Sequence, residues 1–250
     1  MAYLQMNFFS YAVGINTCAD VILPQDSEGP HKTLYLLHGY SDNHAAWHRR
    51  TSIERYADRY KIAVIMPDAQ KSFYSDFVHI KDGYQYWKYV SEELLDITRR
   101  FFKLSHKRDD TYVAGLSMGG FGAFKLALNK PEVFGAGASL SGAVDSGHLL
   151  TPERQAEFSL YIDVDKHKGS VNDLFAAAQR TNKLPAELKP RLYQACGTED
   201  FLYQDNIGFR DFINTLDYDY TYTEGPGAHT WDYWDFHIEK VLEWLNLEKV

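Results

Sequence analysis

The chain of 250 residues holds only two cysteines, Cys18 and Cys196. A disulfide framework is not expected, and both thiols read as reduced, as in a cytoplasmic protein. No Lys or Arg precedes Lys32, so the charged start of a secretory leader is missing and a cytoplasmic location is expected. No apolar run approaches the length that spans a bilayer, so no membrane partner is expected. Positive charge is scarce: 26 Lys and Arg stand against 34 Asp and Glu, a net charge of -8. That argues against nucleic acid and against anionic membrane surfaces as partners. There is no H-E-x-x-H and no C-x-x-C pair, so no zinc or other metal is expected. Asp163 to His167 begins like a calcium loop. Lys168 and Leu174 then occupy the positions that need glycine and glutamate, and the resemblance ends. A phosphate-cradling G-x-x-x-x-G-K loop is absent, and no cofactor is called for. Repeats and low-complexity tracts are missing too.

What remains is ordinary for a globular protein: 45% hydrophobic and 24% charged residues, in a length that suits one α/β domain over 1–250. Aromatic residues, at 15%, are plentiful enough for a core, an apolar pocket or a homo-oligomer interface. Extended segments are expected at Leu4 to Ser10 and Ala12 to Leu23, with Gly14 and Asn16 in a turn or bulge. Short apolar runs at 33–37, 62–66, 111–114, 133–140 and 190–196 read as buried strands. Helical spacing recurs at 44–60, 89–104, 119–129, 203–216 and 231–247, and 218–224 alternates as a last strand. Strands alternating with helices imply a mainly parallel central sheet with helices on both faces.

One stretch organises the rest. Gly115, Ser117 and Gly119 form G-x-S-x-G between an apolar strand and a helix rich in small residues. A serine hydroxyl is a weak nucleophile until a tight turn exposes it beside a base. Side chains two residues either side of such a turn would clash, so glycine is needed there.

Ligand sites in parallel sheets gather at the carboxyl ends of strands. The loops 38–43, 117–120, 197–200 and 225–229 all follow strands. His229, delivered by a Gly-Pro-Gly loop, is the expected base for Ser117. Asp200 lies between them in chain order and is the expected carboxylate, with Glu199 and Asp145 as rivals. The amides of Met118 and of Tyr40, or alternatively Ser41, would form the oxyanion hole. His237, inside a helix, reads as structural, and His38 as a support for its loop. Residues 143–189 carry charge, helical patches and no strand signal, and read as a lid-like insertion within the domain. Their apolar residues, Phe158, Tyr161 and Phe175 among them, are expected to wall a substrate pocket.

Leu37 to Asn43, Gly115 to Gly120, Cys196 to Asp200, and His229 with Trp231, Tyr233 and Trp234 together resemble the esterase D / tributyrin esterase branch of the α/β-hydrolases. Feruloyl and acetylxylan esterases and S-formylglutathione hydrolases are its relatives. The resemblance spans about residues 33 to 245. It implies an α/β-hydrolase fold and a metal-free serine carboxylesterase acting on short acyl esters through Ser117, Asp200 and His229. Plant-derived feruloyl or acetylxylan esters are the alternative substrates. S-formylglutathione hydrolases carry a cysteine in the loop where this chain has Gly39-Tyr40-Ser41-Asp42, which weighs against a thiol ester. A hydrolase fold that binds without turnover is the reading from another class.

Overall fold

The structure, a computed structural model, describes residues 1–80, 82–151 and 155–247. An eight-stranded sheet runs in the order β1-β2-β4-β3-β5-β6-β7-β8. Its strands are β1 (Ala2–Ser10), β2 (Ile15–Leu23), β3 (Thr33–Leu37), β4 (Ala63–Pro67), β5 (Thr111–Leu116), β6 (Ala136–Leu140), β7 (Arg191–Gly197) and β8 (Tyr220–Gly225). The first two form a hairpin, and β2 pairs antiparallel with β4. From β4 to β8 every pairing is parallel. The helices are α1 (Ala46–Arg50), α2 (Ile53–Tyr60), α3 (Tyr86–Lys88), α4 (Leu94–Phe101), α5 (Met118–Asn129), α6 (Gln155–Phe158), α7 (Leu174–Thr181), α8 (Tyr203–Ile213) and α9 (Trp231–Trp244). Among the described residues, no helix is long and apolar enough to cross a membrane.

The continuous apolar runs follow from burial on both faces. Every residue of β3, β4, β5 and β6 is buried. Alternation along each strand then feeds two cores. Leu34, Leu36, Val64, Met66, Ala114 and Leu116 pack under α2 and α9. Tyr35, Leu37, Ile65 and Val113 pack on the other face, with Phe121 and Phe124 of α5.

Several element ends differ from the expected spans. The helix expected at 44–60 breaks at Thr51 and Ser52, where Thr51 Oγ1 donates to Trp47 O at 2.6 Å and Ser52 N–H to Asp235 Oδ1 at 2.9 Å. The helix expected from Tyr89 starts at Tyr86 and passes through a π-helical turn, Tyr89–Glu93. Glu93 there accepts from Ser10 Oγ at 2.5 Å and from the Tyr11 and Ala12 amides at 2.7 and 3.2 Å. This carboxylate holds the β1–β2 turn, a role visible only in three dimensions. The insertion leaves after β6 and returns before β7 without a strand among its described residues. Residues 152–154 of it, and 248–250 of the chain, lie outside the described residues.

Lys125 on α5 is entirely buried. Its Nζ donates to Tyr74 O and Ser75 Oγ, both at 2.8 Å, and sits 4.7 Å from the Trp87 ring centroid. It thereby ties α5 to the 69–86 loop, in which Phe73 and Tyr74 both take positive φ, 50° each. Burial pulls the Lys125 pKa down to about 7, with Asp76 opposing. The unfolded chain holds this proton up to its ordinary value of 10.5, so the cost of burying the charge is fully present below pH 7. It is relieved as pH rises from about 7 towards 10.5. A Lys125→Met variant is therefore expected to lose part of the rise in melting temperature that wild type shows across that window. Parallel melting curves at stepped pH check this; identical pH slopes would mean that Lys125 does not titrate there.

Candidate active site

Ser117 sits between β5 and α5 at φ 54°, ψ -116°, a conformation that side chains rarely adopt. The turn is held by Ser117 N–H on Leu140 O at 2.9 Å, and by the Phe121 and Ala143 amides on Ser117 O at 3.1 Å. The flanking glycines are explained by contact. A Cβ on Gly115 would lie 2.3 Å from Gly119 O, and one on Gly119 would lie 2.3 Å from Leu37 O. Any larger residue would force strand, helix and the β3 end apart. Ser117 is partly exposed, whereas Met118 is buried.

The loop after β3 passes directly beside the serine. A Cβ on Gly39 would stand 3.8 Å from Ser117 Cβ. His38 supports this loop as expected, and the side chain is buried. Its Nδ1–H donates to Gly39 O at 2.7 Å, and its Nε2 accepts from Ala69 N–H at 3.0 Å. Tyr74 OH donates to His38 O at 2.9 Å. Burial holds the His38 pKa below its usual value, which suits a neutral ring donating at one nitrogen and accepting at the other.

His229 and Asp200 meet across two strand-end loops. Gly197 pairs with Gly225 in the β7–β8 register. The Thr198 amide then donates to Gly225 O at 2.9 Å and the Glu199 amide to Gly227 O at 3.0 Å. A Cβ on Gly197 would strike Gly227 O at 2.1 Å, so the loops close only because that residue is glycine. The result sets His229 Nδ1 2.8 Å from Asp200 Oδ2. Asp200 Oδ1 accepts from Leu202 N–H at 2.8 Å. Burial pushes the Asp200 carboxyl up, but His229, the Leu202 amide and the Ser141 hydroxyl together hold it below its usual range. The His229 ring is packed by Phe201 at 4.5 Å and Trp234 at 4.9 Å.

The rival acids are occupied elsewhere. Glu199 accepts from the Gly227 amide and braces the histidine loop. Asp145 lies 3.6 Å from His148 Nε2, and that histidine also meets Asp205 at 2.7 Å. His237, on α9, faces the core against Tyr233 and Tyr193, and burial takes its pKa down to about 4.

The insertion reaches the same sheet edge. Phe158 and Tyr161 pack on Phe73 at 5.0 and 5.5 Å between ring centroids, and Tyr40 lies 5.5 Å from Phe73. Tyr40 OH donates to Glu157 in the insertion, and Phe73 N–H to Met118 Sδ at 3.3 Å. Phe175 goes elsewhere: its ring packs 5.2 Å from Phe209 and 4.9 Å from Phe212, on α8. Of the three aromatic residues expected at a pocket wall, the fold joins Phe158 and Tyr161 and sends Phe175 to a helix–helix contact. Phe73, Glu157, Ser141 and Phe201 were not singled out from the sequence. Phe73 lies in an irregular aromatic stretch, and nothing local announces its positive φ.

The Esterase family model matches residues 10–245. An acetyl esterase of Caldicellulosiruptor saccharolyticus is 33% identical over 264 residues, covering 98% of this chain and 98% of that protein. The fluorophosphonate-binding serine hydrolase FphF of Staphylococcus aureus, solved with substrate bound, is 35% identical with a TM-score of 0.87, over 99% of each chain. The S-formylglutathione hydrolase FrmB of the same organism is 35% identical with a TM-score of 0.85, over 98% of each chain. A mostly parallel sheet, a strained serine between strand and helix, and these full-length similarities lead to one conclusion: the chain belongs to the Esterase family and is a serine esterase of the α/β-hydrolase fold.

Proposed function

We propose that Ser117, His229 and Asp200 form the catalytic triad of a carboxylesterase for short acyl esters. The reading rests chiefly on the 2.8 Å contact of His229 Nδ1 with the buried Asp200, at the sheet edge where Ser117 is partly exposed. Asp200 keeps the histidine proton on Nδ1 and leaves Nε2 free to act as base. Nε2 takes the Ser117 proton as Oγ attacks the ester carbonyl. The amides of Met118 and Tyr40 receive the negative charge on the carbonyl oxygen. The histidine returns the proton to the departing alcohol, leaving Ser117 acylated. A water, deprotonated by Nε2, then attacks the acyl group and releases the acid with Ser117 restored. No metal enters this scheme.

The acetyl esterase relative favours small acyl groups. A second reading, thiol-ester hydrolysis, is favoured by FrmB at 35% identity, although the Gly39 to Asp42 loop has no cysteine. A substrate panel separates them: chromogenic acetate and butyrate esters, a methyl hydroxycinnamate and S-formylglutathione. The highest kcat/KM is expected on acetate or butyrate. A value about tenfold higher on S-formylglutathione would transfer the assignment to the thiol ester, and on the hydroxycinnamate to plant-derived esters. No turnover of any of them would overturn the short-ester reading.

Phe158 and Tyr161, with Phe73 and Tyr40, are proposed to wall the substrate pocket. Alanine at Phe158 or Tyr161 is expected to change the acetate-to-longer-ester ratio by about 10-fold while sparing acetate itself, because a methylene in such a pocket is worth about 1–3 kcal/mol. Alanine at Phe175 is expected to lower the melting temperature and leave the ratio alone. An unchanged profile in the folded Phe158 and Tyr161 variants would make the insertion purely structural.

A further inference from the structure

A second cluster of chemistry lies behind the loop that carries Tyr40. Cys18 and Asp20 project from the same face of β2, two residues apart. Asp68 follows β4, and its amide donates to Cys18 O at 3.0 Å, which fixes the two side by side. His44 arrives from the loop after β3. Its Nδ1 and Nε2 lie 3.1 and 3.5 Å from Cys18 Sγ, and Nδ1 lies 3.4 Å from Asp68 Oδ2. The thiol, imidazole and carboxylate ligand atoms all lie within 4.8 Å of one another.

The two distances from Nδ1, 3.1 and 3.4 Å, are close to those between a metal's ligands. Tetrahedral zinc with Zn–S near 2.3 Å and Zn–N or Zn–O near 2.0–2.1 Å puts its ligand atoms about 3.3–3.6 Å apart. A second, independent observation points the same way. Asp20 is entirely buried, and neither of its oxygens has a hydrogen-bond partner of regular geometry. Its nearby groups include the Tyr3 hydroxyl and His44 Nε2, the latter 3.9 Å from Oδ1. A buried carboxylate without a full partner is costly, and a cation beyond the imidazole would repay it. Metal-bound histidines commonly give their other ring N–H to a carboxylate, and Asp20 Oδ1, 3.9 Å from His44 Nε2, is the buried carboxylate on that side of the ring.

The geometry points to a zinc(II) site in which Cys18 Sγ, His44 Nδ1 and Asp68 Oδ2 bind the metal and Asp20 orients His44 through Nε2–H. Thiolate and imidazole ligands select against calcium and magnesium, which prefer oxygen. His44 and Asp68 are partly exposed, at 18% and 21% of their side chains, so a path from solvent and a position for a water remain. Binding releases the thiol proton to solvent and involves no change of oxidation state. The site joins β2, the end of β4 and the loop of Tyr40, so the metal acts as a clamp on that loop rather than as a participant in ester cleavage.

The test uses the whole protein, stripped by a chelator and titrated with zinc(II), then with cobalt(II) as a spectroscopic probe. One zinc per chain, a higher melting temperature and a thiolate-to-cobalt charge-transfer band are expected. Cys18→Ser should abolish the band, and Asp20→Asn should weaken zinc binding by about 10–100-fold. Circular dichroism and ester turnover show whether each variant is folded. If Cys18→Ser does not fold, the wild-type cobalt spectrum decides alone. Absence of the charge-transfer band in wild type, or zinc binding equally tight in folded Cys18→Ser, would overturn the proposal.

Discussion

Ser117→Ala is expected to give a folded protein whose ester turnover is lower by roughly 10³-fold or more. In the proposed mechanism the hydroxyl oxygen is the atom that bonds to the acyl group, and alanine offers nothing in its place. What remains is catalysis by oxyanion donors and substrate binding alone. The fold should survive because the turn is held by backbone bonds, Ser117 N–H to Leu140 O and the Phe121 and Ala143 amides to Ser117 O. Alanine meets the same positive φ as serine, so the strain is unchanged. Purified variant and wild type are compared in kcat/KM on a chromogenic acetate ester and in melting temperature. Retention of more than about a tenth of the activity would place the nucleophile elsewhere.

Asp200→Asn is expected to cost about 10⁴-fold in kcat, the loss seen when a triad carboxylate becomes an amide. The amide presents a donor to His229 Nδ1, so the imidazole is held in the tautomer that cannot accept the Ser117 proton. Asp145→Asn should stay within about twofold of wild type, because an exposed pair with His148 contributes little. Full activity in the Asp200 variant together with a large loss in the Asp145 variant would transfer the acid role. Stability provides a separate readout. The folded Asp200 pKa is lowered, so its contribution is present above the ordinary carboxylate value of 3.8. It is lost as pH falls through the lower, folded value. The wild-type advantage over Asp200→Asn should therefore shrink as pH falls through that acid range.

The elbow was legible because its chemistry is local. A strand, a turn and a helix within about a dozen residues leave few alternatives once glycine stands on both sides of a serine. Loop order was legible too, since parallel strands buried on both faces bring all their carboxyl ends to one edge. The conformations Ser117 adopts and the contacts of Gly115 and Gly119 then match what the spacing required.

Selection among neighbours of equal chemistry came only with the tertiary structure. Glu199, Asp200 and Asp145 are all strand-end acids. The β7–β8 register and the Gly197–Gly227 contact turn Asp200 towards His229 and Glu199 towards a backbone amide. Phe158 and Phe175 are both apolar residues of one insertion, yet one meets Phe73 and the other Phe209. His44 stands 26 positions after Cys18 and 24 before Asp68, a spacing that matches no short metal motif. Sequence pattern reports what a residue does to its near neighbours along the chain. Strand pairing decides which distant side chains share one small volume, and that pairing is fixed by the burial of whole strands rather than by any residue at the site.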